Sequence, residues 1–157
     1  LYFKNKEEII FAIWNMIVEQ HMIAFEQRVA SLQGAKEKIM SFFDFAQCCT
    51  IFDTQKILHL YQHFVSAMLI DKTGLYTSYF ESFFQQDYDF ISARLKEGIA
   101  SGAFKEHNVH LLTHSIVLIV KGTLIKAKAN NMAFSDAQAL LSEEILFLLD
   151  NFTRKSS

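Results

Sequence analysis

The 157-residue chain contains no proline and only five glycines. Proline ends helices and glycine weakens them, so a chain that lacks the first and has few of the second can sustain long helices. The glycines mostly fall where such helices would end; they are Gly34, Gly74, Gly98, Gly102 and Gly122. The composition therefore predicts an all-α fold in one domain, since the length suffices for a single core.

An excess of basic residues is also absent, because the formal net charge is −2. Phosphate binding needs a basic surface, so this charge argues against a nucleic-acid interface on these residues. The two cysteines, Cys48 and Cys49, are adjacent and therefore pair poorly with each other. No signal peptide is visible, and the most apolar run, residues 116–120, is far too short to span a bilayer. We expect a reduced, cytoplasmic protein without a membrane partner.

Apolar side chains are abundant: hydrophobic residues make up 51% of the chain, and 16 residues are phenylalanine. Their 3.6-residue periodicity predicts about six helices. The first two predicted helices span residues 6–32 and 35–49, and the last three span 76–101, 109–130 and 136–152. The third is capped by Asp53 or Thr54 and ends at the break at Gly74. We expect an all-α helical bundle of about six helices, whose last two helices form a four-helix interface with a second copy.

Two segments have the pattern of a capping box, in which one side chain caps the first turn of a helix and another bonds back to the cap. Asn5 with Glu8 would begin the first helix, and Ser135 with Gln138 would begin the last. Glu7 and Glu8 also lie where the helix dipole favours carboxylates. A strong helix start is therefore predicted within the first ten residues.

The segment from Leu1 to Ile9, LYFKNKEEI, resembles a junction found in TetR-family transcriptional regulators. In that family the junction joins the DNA recognition helix to the long helix that follows it. The segment 95–104 and the pair Lys121-Gly122 resemble the end of the family's seventh helix and part of its eighth. The order and spacing of these segments agree with the family over nearly the whole chain.

The resemblance implies a division of the chain and a set of DNA contacts. Residues 1–5 would be a remnant of the DNA-binding helix-turn-helix, and residues 6–157 the effector-binding and dimerisation domain. Tyr2 and Lys6 fall at positions that touch DNA phosphates in the family. Because the three helices that read DNA are absent from this sequence, operator DNA would be bound only through the missing N-terminal domain.

The fifth predicted helix has two apolar faces. On one face Leu111, Leu118 and Ile125 repeat every seven residues, and small residues such as Ser115 and Gly122 alternate with them. This alternation lets a second helix approach closely. We predict a homodimer interface formed by Leu111, Ser115, Leu118, Gly122, Ile125, Leu141, Ile145 and Leu148.

Aromatic side chains recur at helical spacing in the first four predicted helices. Such stripes indicate either a packed core or the lining of a cavity, and the resemblance implies an effector pocket between these helices. The predicted ligand-binding residues are Ile17, His21, Phe25, Phe42, Phe45, Tyr61, Phe64, Phe80, Phe84 and Tyr88. His21 is either a buried histidine bonded to a neighbour or, with Tyr61, a polar anchor for a ligand. We expect an apolar effector such as a fatty acyl chain or an aromatic drug-like molecule.

No catalytic pattern stands out, so we expect no enzyme and no cofactor. His59 with His63, and His110 with His114, have the spacing of helical metal ligands, but no third ligand is marked, which favours solvated or core histidines. With the resemblance, the sequence predicts the ligand-sensing and dimerisation domain of a TetR-like repressor, released from DNA by its effector. The alternatives are a helical-bundle enzyme or carrier for small apolar molecules, and a packed interaction module without a ligand.

Overall fold

The computed structural model describes residues 3–44 and 54–155, apart from the side chains of Thr54 and Phe83. Within these ranges the chain forms six helices: α1 (Lys6–Val29), α2 (Ala35–Phe42), α3 (Thr54–Ile70), α4 (Leu75–Ala100), α5 (Val109–Ala129) and α6 (Phe134–Phe152). The described residues contain no strand, only a lone antiparallel bridge between Phe104 and Thr153. The prediction of an all-α bundle of about six helices is confirmed.

The start of α1 agrees with its predicted cap in all but one bond. Asn5 is the N-cap, and its Oδ1 accepts a hydrogen bond from the Glu8 backbone N–H at 2.9 Å. The Glu8 carboxylate accepts from the backbone N–H of Lys4 at 2.7 Å, rather than from that of Asn5. At the other end α1 stops at Val29, three residues before the predicted end, and a tighter turn of backbone bonds carries the chain through Leu32.

The predicted capping box at the start of α6 is wrong. The helix begins two residues earlier than predicted, at Phe134, whose backbone N–H donates to Gln55 Oε1 at 3.0 Å. Ser135 therefore lies inside the first turn. Gln138 is used elsewhere, since its side-chain amide donates to the backbone carbonyl of Phe43 at 2.7 Å. This bond ties α6 to the end of α2.

The core lies where α4 packs against α2, α3 and α5, with α6 closing it against α2, α3 and α5. The fully buried side chains come from five of the helices and include Ile39, Phe64, Ile91, Leu95, Ile116 and Ile145. Helix α1 packs on α2, and its rings Phe11 and Trp14 contact Phe64 of α3. The bundle thus places α1 as one wall over the aromatic side chains of α3 and α4.

The corner between α4 and α5 requires glycine. A Cβ atom at Gly98 would lie 2.1 Å from the Phe104 ring, which is buried in the core. Gly102 has φ +81°, a left-handed conformation that glycine adopts without steric cost. Lys105 N–H then donates to the Phe152 carbonyl at 2.7 Å. These contacts hold the α4–α5 corner against the end of α6.

Among the residues that the structure describes, two helices, α1 and α5, are long and apolar enough to cross a membrane. Buried helices of globular proteins have the same composition. Both helices supply residues to the common core, Trp14, Ile17 and Phe25 from α1 and Ile116 and Val120 from α5. This packing accounts for their apolar inner faces.

Candidate functional site

A cavity of about 80 Å³ lies between α1, α3, α4 and α5, with one lining residue each from α2 and α6. Most of its lining is apolar or aromatic. The lining residues are Trp14, Ile17, Val18, His21, Met22, Phe42, Ile57, Leu58, Tyr61, Phe84, Gln86, Asp87, Val120, Leu124 and Phe134. A concave, apolar site with a few polar side chains is the usual form of a small-molecule site.

Helical spacing explains how each helix reaches the cavity. Helix α1 supplies five lining residues over two turns, from Trp14 to Met22, because its inner face points at α3 and α4. On α3 the residues Ile57, Leu58 and Tyr61 are three and four positions apart and share one face. More of the lining comes from α1 than from any other helix, so α1 is the wall that a ligand would touch most.

Aromatic rings form the rigid side of the cavity. The Trp14 ring lies 5.6 Å from that of Tyr61, between ring centroids, and Tyr61 meets Phe80 edge to face at 5.7 Å. Phe64 lies 5.4 Å from Trp14 and 5.1 Å from Phe80. Phe64 and Phe80 therefore stand behind the lining residues and support them.

His21 faces the cavity as a neutral imidazole. The pKa of His21 is lowered to about 4, chiefly by burial and also by the nearby Arg28 cation, while a hydrogen bond with the Phe42 backbone partly offsets both effects. The His21 ring meets the edge of the Phe42 ring at 5.5 Å. At neutral pH His21 therefore adds polarity to the cavity without adding charge.

Tyr61 and Asp87 are further polar residues that line the cavity. The Tyr61 side chain is 6% exposed, and its buried hydroxyl oxygen has no hydrogen-bond partner among the described residues. Burial raises the pKa of Tyr61, and the charge of Asp87 raises it further. Burial also raises the pKa of Asp87 to about 7, partly offset by Lys121. Lys121 Nζ itself lies 4.2 Å from the centroid of the Phe84 ring.

Five of the predicted ligand-binding residues line the cavity: Ile17, His21, Phe42, Tyr61 and Phe84. Three others belong to the packed core instead. Phe64 and Phe80 lie behind the lining, and Phe25 packs edge to face on Phe42 at 5.3 Å and on Phe90 at 4.9 Å. Phe45 lies outside the described residues.

Tyr88 was also predicted to line the pocket, but it turns away from it. Its hydroxyl and the Nδ1 atom of His110 on α5 are 2.5 Å apart, at the outer edge of the α4–α5 pair. Tyr88 is one position past Asp87, about 100° farther around α4, and its hydroxyl reaches α5 instead of the cavity.

Two lining residues that matter chemically were missed by the sequence analysis. Trp14 lies on the inner stripe of α1 between Ile10 and Ile17, so its spacing indicated its position. Asp87 lies three residues after Phe84 and four before Ile91 on the inner face of α4. A carboxylate at an inward position was the available signal for a charged group in the pocket.

The predicted dimer face is divided between exposed and buried residues. On α5, Leu111, Leu118 and Ile125 are 59%, 51% and 45% exposed, and Ser115 and Gly122 are exposed beside them. On α6 the interface prediction needs correction, because Leu141 and Ile145 are buried in the core of their own domain and Leu148 is half-buried. The large apolar residues that α6 leaves exposed are Leu146 and Phe147.

Lys6 is exposed in the first turn of α1, and Tyr2 lies outside the described residues. Among the residues that the structure describes, no three His, Cys, Asp or Glu side chains come together as metal ligands. His59 contacts Gln55 at 3.2 Å, and His110 contacts Tyr88. The side chains of these two histidines are thus engaged with neighbours on the protein surface.

Comparison with solved structures gives this bundle the fold of a TetR transcription regulator. One similar structure is a TetR transcription regulator from Haloarcula marismortui, which superposes with a TM-score of 0.75 at 13% sequence identity. The superposition covers 98% of this chain and 82% of the other. No protein-family model and no curated protein matches the sequence. The TetR-like fold is therefore established by the arrangement of the helices.

Proposed function

We propose that this chain is the ligand-sensing and dimerisation domain of a TetR-like transcriptional regulator, a cytoplasmic repressor released from DNA by a small apolar effector. The observation that carries the proposal is the apolar cavity, which α1 lines from Trp14 to Met22. The same helix begins at the Asn5 cap, beside the segment that resembles the family's junction with its DNA-binding helices. One helix thus joins a ligand site to the expected DNA-binding end.

The size of the cavity suggests how binding would move α1. Pockets that hold drug-sized ligands measure about 300–1,000 Å³, whereas this cavity measures about 80 Å³. A drug-sized effector would therefore need a wall of the cavity to move outward. Helix α1 is the wall with the most lining residues, and it packs on the bundle mainly through α2. Binding would therefore tilt α1.

A tilt of α1 would act on DNA through the dimer. The helix-turn-helix heads of a dimer enter successive major grooves about 34–36 Å apart, so a change in their spacing weakens binding. The coupling free energy cannot exceed the difference between the ligand's affinities for the two states. In this scheme Tyr2 and Lys6 contact DNA phosphates, and a preceding helix-turn-helix reads the bases.

The homodimer would form through α5 and α6. Leu111, Leu118 and Ile125 present an apolar row on α5, and Gly122 in the middle of that row allows close approach. Phe147, 71% exposed, extends the row onto α6 in place of the buried Leu141 and Ile145. Four helices, two from each copy, would bury these side chains.

The sole tryptophan, Trp14, provides a direct test because it lines the cavity. Fatty acids and aromatic compounds are titrated into the protein while Trp14 emission and the melting temperature are recorded. An effector should change both, and in the full-length protein it should reduce operator affinity. Turnover of the ligand would favour a helical-bundle enzyme or carrier. If no compound changes either the Trp14 emission or the melting temperature, the packed interaction module without a ligand would be favoured.

A further inference from the structure

The residues that line the cavity include one carboxylic acid, Asp87. Asp87 lines the cavity from α4 and forms no hydrogen bond or ion pair within the described ranges. Lys121 Nζ lies 4.2 Å from the centroid of the Phe84 ring, and its charge acts on Asp87 without a direct ion pair. A carboxylate in such an apolar setting is costly unless a positive partner reaches it.

A second unsatisfied group lies beside this acid. The Tyr61 hydroxyl oxygen is buried, has no hydrogen-bond partner among the described residues, and belongs to a side chain that lines the same cavity. The influence of Asp87 on the pKa of Tyr61 places the two side chains within electrostatic range of each other. An ammonium group has three N–H donors and could satisfy both oxygens at once.

The rings of the cavity favour the same kind of ligand. Trp14, Tyr61 and Phe84 present aromatic surface to the space beside Asp87, and a cation gains energy over such faces. His21, the other ionisable lining residue, is neutral and adds no competing charge. A ligand carboxylate, by contrast, would meet the charge of Asp87 in a poorly solvated space.

We propose that the pocket selects an apolar aromatic amine, whose ammonium group binds Asp87 and Tyr61, and rejects molecules with an acidic head group such as fatty acids. This inference rests on the proposed function, since it assigns the ligand class of the same pocket. Of the expected effectors, fatty acyl chains and aromatic drug-like molecules, it retains only aromatic molecules that carry a basic nitrogen.

The test compares three probes of one size: benzylamine, benzyl alcohol and benzoate. Calorimetric titration at pH 7.5 should show benzylamine binding at least about tenfold more tightly than either of the others. Asp87→Asn, which keeps the shape of the side chain, should abolish this preference by weakening benzylamine binding to the level of benzyl alcohol. Asp89→Asn is the matched control, because Asp89 is exposed on the same helix and bonds to Gln85.

Each outcome decides between the two proposals. Equal affinities of the wild-type protein for the three probes would overturn the amine selectivity but would still support a ligand pocket. This comparison does not depend on any variant folding correctly. An amine preference that survives in Asp87→Asn would also overturn it. If none of the three probes binds, the ligand pocket itself fails, and the amine selectivity fails with it.

Discussion

His21 on α1 and Asp87 on α4 line the same cavity, and burial shifts their pKa values in opposite directions. The pKa of His21 falls to about 4, and that of Asp87 rises to about 7. Burial disfavours the charged form of both residues, which is the protonated form of histidine and the deprotonated form of aspartate. At neutral pH the imidazole of His21 is therefore neutral, and the carboxyl group of Asp87 is close to half ionised.

The opposite pKa shifts of His21 and Asp87 predict two opposing pH dependences of the free energy of unfolding. Between about pH 4 and 6.5 the unfolded chain binds a proton at His21 that the folded protein does not, so His21 makes stability rise with pH. Between about pH 4 and 7 the folded protein keeps a proton at Asp87 that the unfolded chain has lost, so Asp87 makes stability fall with pH. In the wild type the two contributions nearly cancel.

Single substitutions should reveal each contribution. We expect the free energy of unfolding, measured by urea titration, to rise from pH 4 to 6.5 in Asp87→Asn and to fall over the same range in His21→Asn. Above pH 7, Asp87→Asn should be more stable than wild type by about 1–2 kcal/mol, a value discounted because Asp87 is only partly buried. Parallel pH profiles in the wild type and both variants would contradict the shifts.

Gly122→Leu should separate the stability of the protomer from that of the dimer. A Cβ at Gly122 meets no atom within 4 Å in its own protomer, and leucine favours a helix by about 0.8–1 kcal/mol over glycine. The folded protomer should therefore persist while the dimer dissociates, as measured by sedimentation velocity. Ala100→Leu, at the exposed end of α4, is the control. A Gly122→Leu protein that dimerises with unchanged affinity would rule out this face.

Phe84→Trp should block the pocket. Phe84 is 5% exposed and lines a cavity of about 80 Å³, so a larger ring can be accommodated only by filling that space. We expect calorimetric binding of the effector to be lost at a stability cost of about 1–3 kcal/mol. Tyr88→Trp on the same helix should bind normally, because Tyr88 lies outside the cavity. Unchanged binding by the Phe84 variant would place the ligand elsewhere.

Lys6→Ala should weaken DNA binding without changing its sequence preference. Lys6 is exposed in the first turn of α1, and a phosphate contact adds affinity but carries no base information. In the full-length protein the slope of log affinity against log salt should decrease by about one phosphate contact. Binding is measured on several operator sequences at several salt concentrations. A change in the preferred bases would show that Lys6 has another role.

The sequence by itself determined the helices and most of the inner faces. Periodicity placed α4 and α5 within one residue at each end, because helix formation depends on neighbours three and four positions away. The Asn5 cap was predictable for the same reason, since its partner Glu8 lies within one turn. The start of α6 was missed, because Gln138 bonds to Phe43, a residue distant in the sequence.

Only the tertiary structure decided which apolar residues line the cavity, which fill the core and which stay exposed. Phe64, Phe80 and Phe84 all lie on inward stripes, yet Phe84 alone of the three reaches the cavity, because packing between α3 and α4 places the others behind it. Leu141 and Ile145 likewise satisfied the pattern of an interface but pack inside. The pKa of Asp87 depends on its burial between the helices and on Lys121 of α5. Periodicity tells which side of a helix is apolar, whereas the relative positions of the helices decide what that side meets.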